Sequence, residues 1–451
     1  MFWKNGTYLF IVAAFILAHA AVKAQSWSFQ TNPIASGDTT EIGKVQFVSP
    51  TEGWISVGTG GRLLHTTNAG ENWTMVTPFP DDTVWCSSDP ALSMSWPDQT
   101  HGWQINSIGT RFGISYGVVI YQTADGGKSW QKKVLSTKNG DFGFQIQFVD
   151  VNHGWLLCFN FSTQVSTFFK TSDGGSNWVP FNGAGIFYFT DVNNGWAFYG
   201  SGLDGTQPPF KILHTVNGGT DWTEQFSDNS AGTYNAIFFS DINNGWIVGD
   251  QGKVLKTTNG GTNWNYVTNS GINPNDRSKT VFFLNADNGW ISTKDGNGYG
   301  VIQHTTDGGK SWTRQATPLT SSQGGNAIFN IYFFDAHNGW LTASNKKICR
   351  FTEPTGIEAN NNIPNEFLLC QNYPNPFNPS TTIDYSIKAA GNVKLSVFDA
   401  LGKRVAVVVD EYKSAGSYSV KFDGRSLPSG VYLYRLESGD YNASKKFILM
   451  K

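Results

Sequence analysis

The 451-residue chain exceeds what one hydrophobic core usually fills, so two domains, or one repeat domain with an appendage, are expected. Charged residues make up 15% and aromatics another 15%, with 50 glycines, a balance that excludes a disordered chain and favours turn-rich β-structure. The total charge of -2 hides a split: residues 25–366 hold 19 Lys plus Arg against 27 Asp plus Glu, and residues 367–451 hold 11 against 7. An acidic body is a poor binder of nucleic acid, which needs clustered basic side chains, and no such partner is expected.

Residues 1–24 carry Lys4, an apolar run from Tyr8 to Leu17 and the small-residue finish Val22-Lys23-Ala24. This is the pattern of a secretory signal peptide cut after Ala24, with Ala18-His19-Ala20 as the weaker site. The run is too short to span about 30 Å of hydrocarbon, and no later segment is long and apolar enough to do so. Four cysteines, Cys86, Cys158, Cys349 and Cys370, lie at wide spacings without the close pairs of a zinc site. Export leaves room for one or two disulfides, yet a chain this large does not need them, so structural or free thiols are expected.

From residue 27 onward the dominant signal is self-similarity. One motif runs from an aromatic residue, through a position that is usually Asp or Asn and a short spacer, to Gly-Trp: Phe47 to Trp54, Trp96 to Trp103, Phe148 to Trp155, Phe189 to Trp196, Phe239 to Trp246, Phe283 to Trp290 and Phe333 to Trp340. The second is Thr-x-(Asp/Asn)-(Gly/Ala)-Gly-x-x-Trp: Thr66 to Trp73, Thr123 to Trp130, Thr171 to Trp178, Thr215 to Trp222, Thr257 to Trp264 and Thr305 to Trp312. The first has seven copies and the second six, and Ser26-Trp27-Ser28-Phe29 reads as the strand of the missing seventh.

Alternating stretches such as Trp54 to Val57 and Arg62 to His65 read as strands between the motifs. Each unit is then strand, Asp-x-x-x-Gly turn, strand, variable loop, strand, Asp/Asn-Gly-Gly turn, strand, with Asp or Asn accepting from its own turn and glycine supplying positive φ. Tryptophans fill the wedge between neighbouring sheets. Four strands every 41 to 52 residues mark propeller blades, so an all-β, seven-bladed β-propeller over residues 25–352 is expected, closed by the N-terminal strand through Trp27.

The second motif resembles the Asp-box of sialidase-type repeat proteins (the BNR repeat). The two-motif unit resembles the repeats of photosystem II stability and assembly factors, which also occur in bacterial surface proteins. The resemblance covers residues 27–352 and implies the fold; it says little of function, because the Asp-box is a folding device of enzymes and non-enzymes alike.

Residues 353–366, Glu-Pro-Thr-Gly and an Asn-rich stretch, read as a linker. Residues 367–451 then open on Gln371-Asn372-Tyr373-Pro374-Asn375-Pro376-Phe377 and continue through strands that include Val393 to Asp399, Val405 to Val409, Gly416 to Phe422, Val431 to Glu437 and Ala443 to Met450. A small antiparallel Ig-like β-sandwich is expected. With Phe398 to Lys403, Pro428-Ser429-Gly430-Val431-Tyr432 and the basic finish Lys445-Lys446-Phe447 to Lys451, the segment resembles the type A C-terminal sorting domain of the type IX secretion system of gliding and related Gram-negative bacteria (Bacteroidota). That resemblance implies the secretion machinery as partner, passage across the outer membrane, and cleavage with surface attachment as a further option.

Both turns that carry the motifs fall on one face of a four-stranded blade. The opposite face is built from loops that differ between copies: Met75 to Ser93 with Trp85, Asn106 to Gly117 with Arg111 and Tyr116, Cys158 to Ser166, Tyr199 to Pro209, Thr268 to Lys279 with Arg277, and Lys294 to Gly300 with Tyr299. A ligand site is expected there, with Trp85, Arg111, Tyr116, Tyr199 and Tyr299 as candidate contacts to a surface protein or polysaccharide. Trp85 is equally readable as a cover for the rim.

No catalytic set converges. Loop acids such as Asp81, Asp82, Asp204, Asp250 and Asp295 allow a glycosidase pair in principle, but loop acids are usually solvated. His65, His214 and His304 share one repeat position, and His101, His153 and His337 fall in the Gly-Trp turns. No metal, cofactor or phosphate-cradling loop is expected. The leading expectation is a monomeric, non-catalytic binding or scaffold propeller, secreted or at the cell surface. The alternative is a secreted glycoside hydrolase, sialidase-like or xyloglucanase-like.

Overall fold

The computed structural model describes residues 26–450 apart from 39, 59, 81–83, 87–93, 111–113, 161, 184, 200–208, 230–232, 269, 320–326, 353–366, 373–374, 414–415 and 440, and for 26, 84–86, 110, 114–116, 352, 416–417 and 419 the backbone alone. The expected signal peptide and linker lie outside the described residues. The chain divides into two compact units between Thr355 and Gly356. The described residues are strands, turns and bends without a helix.

Among the described residues, the strands of the larger unit form seven sheets. Ile42–Phe47, Gly53–Val57, Leu63–Thr66 and Thr74–Val76 make the first, an antiparallel meander, and four later sheets repeat that order. The second strand of each meander is the most deeply sunk, as the unbroken burial of Gly53–Val57 shows, whereas the fourth is largely exposed, as in Thr74–Val76. Hence the second strands read as continuous apolar runs and the fourth strands as mixed ones.

The two tryptophan series divide the packing between them. Each Gly-Trp indole stacks on the motif aromatic of the following sheet: Trp103 on Phe148 at 3.6 Å, Trp155 on Phe189 at 3.7 Å, Trp246 on Phe283 at 3.5 Å, and, returning to the start, Trp340 on Phe47 at 3.4 Å. Each Asp-box tryptophan instead meets the motif aromatic of its own sheet edge-on, as Trp178 meets Phe148 at 5.8 Å and Trp312 meets Phe283 at 5.7 Å. Every motif aromatic is thus held between a face-on and an edge-on indole, both favoured ring geometries.

The last sheet shows where Trp27 goes. Ser26–Gln30 pairs antiparallel with Lys347–Thr352, and Trp27, 5% exposed, lies edge-on to Phe333 at 5.7 Å, the place an Asp-box tryptophan takes in the other sheets. This sheet packs on the first through Tyr332 Oη, which donates to the Phe47 carbonyl at 2.8 Å, and Val45 N–H, which donates to Asn330 Oδ1 at 3.1 Å. The apolar clusters follow the same plan, since most join two neighbouring sheets.

Two expectations change. The Gly of Gly-Trp has no positive φ; a side chain at Gly53 or Gly154 would instead strike the ring of Phe47 at 2.7 Å or Phe148 at 2.6 Å, so close packing demands the glycine. Parts of the expected loops are also strands: Val84–Cys86, carrying Trp85, adds to the second sheet beside Gly102–Thr110, and Ile114–Thr123, carrying Tyr116, prolongs its central hairpin. Backbone groups there find ladder partners that loop conformations would lack.

In the smaller unit Leu368–Leu369, Ser380–Ile387 and Gly416–Asp423 form one sheet, and Arg404–Lys413, Gly391–Phe398, Gly430–Ser438 and Tyr441–Leu449 form a second. Inward alternation, for example Val393, Leu395 and Val397, builds one core that includes Phe377, Tyr434 and Phe447. Tyr434 Oη donates to the Cys370 carbonyl at 2.7 Å and accepts from Asn372 N–H at 2.8 Å, tying the module's opening segment to its sheet.

Candidate functional site

Most of the repeated polar residues are consumed by the turns that contain them. In the box starting at Thr171, the Thr171 hydroxyl donates to Asp173 Oδ1 at 2.8 Å and accepts from Gly175 N–H at 3.0 Å, while Asp173 Oδ1 accepts from Asn177 N–H at 2.8 Å. The same three bonds recur at Thr66, Thr123, Thr215, Thr257 and Thr305. The Gly-Trp turns do likewise, as where Asp150 accepts from the N–H groups of Asn152 and His153 at 2.8 and 2.7 Å.

The histidines also have structural partners. His65, His214 and His304 sit directly across the strand pair from Trp54, Trp196 and Trp290 and stack on them at 3.9, 4.5 and 4.7 Å. Other sheets place Lys256 over Trp246 and Arg350 over Trp340 at the equivalent position. Burial holds the His214 and His304 imidazoles below their ordinary pKa. Among the described residues no three His, Cys, Asp or Glu side chains group to hold a metal ion. Cys158, Cys349 and Cys370 are free thiols, and burial pushes Cys349 up to about 12, which leaves it unreactive near neutrality.

What remains is a polar cleft of about 1060 Å³ between the sixth sheet and the segment that leads into it from the fifth. Its walls are the segment that leads into Arg277–Phe283 and the turn joining Gly289–Lys294 to Gly300–Thr305, so it opens on the face opposite the recurrent motifs. Asp276, 4% exposed, is fixed by its own N–H to the Asn273 carbonyl at 2.9 Å and by the Thr293 hydroxyl, which donates to its Oδ2 at 3.3 Å. Burial is the main reason its carboxyl is held above the ordinary range; nearby Asp295 adds to this, and Thr293, Arg314 and Gln303 oppose it. Gln303 lies on the third strand of the sixth sheet, 4% exposed, and its Oε1 has no hydrogen-bond partner. Arg314 is its cross-strand neighbour. Arg277, 71% exposed at the mouth, approaches Asp250 at 3.9 Å.

Of the five candidate contacts, Tyr199 and Tyr299 have described side chains, one in the fourth sheet and the other in a turn of the sixth. Arg111 lies outside the described residues, and Trp85 and Tyr116 are placed by backbone alone in the second sheet. Tyr199 is half-buried at the end of Gly195–Tyr199 in the fourth sheet. Tyr299 stands beside the cleft, its N–H donating to Asp295 Oδ1 at 2.9 Å, and does not line it. Of the loops singled out by variability, Thr268 to Lys279 and Lys294 to Gly300 do converge. Asp276 and Gln303 were not legible as site residues from motif spacing. Gln303 had one signal: it occupies a third-strand column that is otherwise Leu64, Tyr121, Phe169, Leu213, Leu255 and Cys349.

Comparison with known proteins gives the architecture a context. Residues 371–450 match the secretion system C-terminal sorting domain, and residues 224–326 match the photosynthesis system II assembly factor YCF48. YCF48 bound to D1 peptide is similar over 74% of this chain and 96% of that one, at 17% identity and TM-score 0.54. YCF48 from Cyanidioschyzon merolae is similar over 72% and 98%, at 19% identity and TM-score 0.52. The larger unit is a β-propeller, with the fold of these YCF48 structures. PorZ, a surface component of the type IX secretion system of Porphyromonas gingivalis, aligns over 95% of this chain and 68% of its own at 12% identity and TM-score 0.39. No curated protein matches in sequence.

Proposed function

We propose that this is an exported, non-catalytic binding or scaffold protein, in which a seven-bladed propeller over residues 25–352 engages a surface protein or polysaccharide through the face that bears the variable loops. Residues 367–451, an Ig-like sandwich beyond the linker at 353–366, guide the chain through the type IX secretion machinery to the cell surface or the medium, after a signal peptide at 1–24 has directed it across the inner membrane. The match of residues 371–450 to a sorting domain supports the export route. The observation that carries the binding reading is the cleft of the sixth sheet: it lies on the variable face, while the repeated acids and histidines are occupied within turns and indole stacks. A photosystem assembly role fits poorly with an exported chain, and the YCF48 likeness is one of fold.

The second reading, a glycoside hydrolase, draws on the same cleft, because Asp276 and Asp295 stand near enough for one charge to raise the other's pKa. Incubating the full chain with a panel of polysaccharides and of outer-membrane surface proteins separates the two. Retardation in polysaccharide gels, or capture of a surface protein, without release of reducing ends is expected. Reducing-end release that disappears in Asp276→Asn would establish the hydrolase instead.

A further inference from the structure

Resting on the binding reading, we propose that the cleft of the sixth sheet is a subsite for an acidic sugar residue of a polysaccharide, its hydroxyls on Gln303 and Asp276 and its carboxylate on Arg314 and Lys294.

The floor of the cleft requires a donor. Gln303 Oε1 lacks a partner in a side chain that is 4% exposed, and a buried polar atom left unpaired is costly, so the site is completed by an O–H or N–H from outside. Asp276 beside it adds acceptor oxygens held in place by Thr293. The walls ask for the opposite sign: Lys294, Arg314 and Arg277, the last beside Asp250, stand there with Asp276 and Asp295, a concentration of cations on a body (residues 25–366) that carries 19 cationic against 27 acidic side chains. Planar guanidinium groups match carboxylates with paired N–H donors. One ligand residue that offers several hydroxyls and one carboxylate meets both demands, and this is the chemistry of a uronic acid.

The lining also argues against a peptide. It consists of glycines, asparagines, Gln303 and charged side chains, with no aromatic or aliphatic residue to seat a side-chain anchor. At about 1060 Å³ the cleft is at the upper end for small-ligand sites and has room for more than one sugar ring.

The test is affinity electrophoresis and titration calorimetry of the full chain with polygalacturonate, its methyl ester, neutral dextran and dextran sulfate. Polygalacturonate is expected to bind, with affinity falling about tenfold or more on methyl esterification, in Arg314→Ala and in Gln303→Leu. Arg314 is exposed, so Arg314→Ala tests the site without depending on a buried change, and Lys128→Ala, in an Asp-box turn on the opposite face, is expected to bind as the parent does. Equal binding of dextran or of the methyl ester, dextran sulfate binding as tightly as polygalacturonate, or indifference of polygalacturonate to both cleft variants would each overturn the proposal. If another polysaccharide or a protein binds and polygalacturonate does not, the subsite assignment fails while the broader reading stands; if nothing binds, both fail. Reducing-end release from polygalacturonate would support the subsite and overturn only the non-catalytic reading.

Discussion

At the residue scale, the repeated positions are explained by contact geometry more than by chemistry. The glycine before each tryptophan lies flat against its motif aromatic, so Gly154→Ala, whose new Cβ would stand 2.6 Å from the Phe148 ring, is expected to cost about 1–3 kcal/mol by overpacking. A denaturant midpoint equal to the parent's would contradict this. Titration gives a second expectation. Buried His214 and His304 take up protons less readily than in the unfolded chain, so stability falls as pH drops below about 6.5. Asp125, held at about 2 chiefly by the Ser129 hydroxyl, and Asp173, held at about 2 chiefly by the Asn177 N–H, favour the folded state above the unfolded carboxylate range. Their contribution is lost as pH falls from about 4 towards 2. Thermal melts from pH 8 to 3 should therefore decline steadily on the acid side, and a melting temperature that rises between pH 7 and 5 would refute the sign.

At the element scale, the Asp-box hairpin is a self-contained cap. Thr257→Val removes the donor to Asn259 Oδ1 and the acceptor of Gly261 N–H, bonds of 3.0 and 2.8 Å, and is expected to cost about 1–3 kcal/mol. A thermal melt that matches the parent's would count against that role. Hairpins of this kind were legible from sequence because their residues are local and repeated. The three-residue strand Val84–Cys86 was not, since it is too short to show alternation and is defined by pairing with Gly102–Thr110. The tail behaves similarly: its longer strands follow alternating apolar residues, whereas Leu368–Leu369 is defined only by its ladder with Ser380–Ile387.

At the scale of the whole molecule, ring closure rests on the first described strand. Gly-Trp indoles hand a hydrogen bond to the next sheet's Asp-box, as Trp155 Nε1 donates to the Gly218 carbonyl at 3.2 Å and Trp246 Nε1 to Gly308 at 3.0 Å. Trp54 and Trp290 Nε1 have no such partner, and the last sheet, on which Trp290 stacks, takes its outer strand from the chain start. Closure there depends on five paired residues, Trp27 among them. Trp27→Ala is expected to cost about 3–5 kcal/mol, and deletion of residues 25–35 to unzip the sheet formed with Lys347–Thr352. A deletion variant that melts at the parent temperature would refute this closure.

The sequence by itself determined the repeat, the Asp-box turn chemistry and the place of the N-terminal strand, because each is written in local spacing that recurs copy after copy. Only the tertiary structure decided where a ligand could sit. Asp276, Gln303 and Arg314 belong to three different segments, and they share a cleft because strand register sets Arg314 opposite Gln303 while packing between sheets brings the loop of Asp276 over them. Register and inter-sheet packing are properties of the closed fold, so beyond the variability of two loops, a polar residue in an apolar column was the trace they left in the chain.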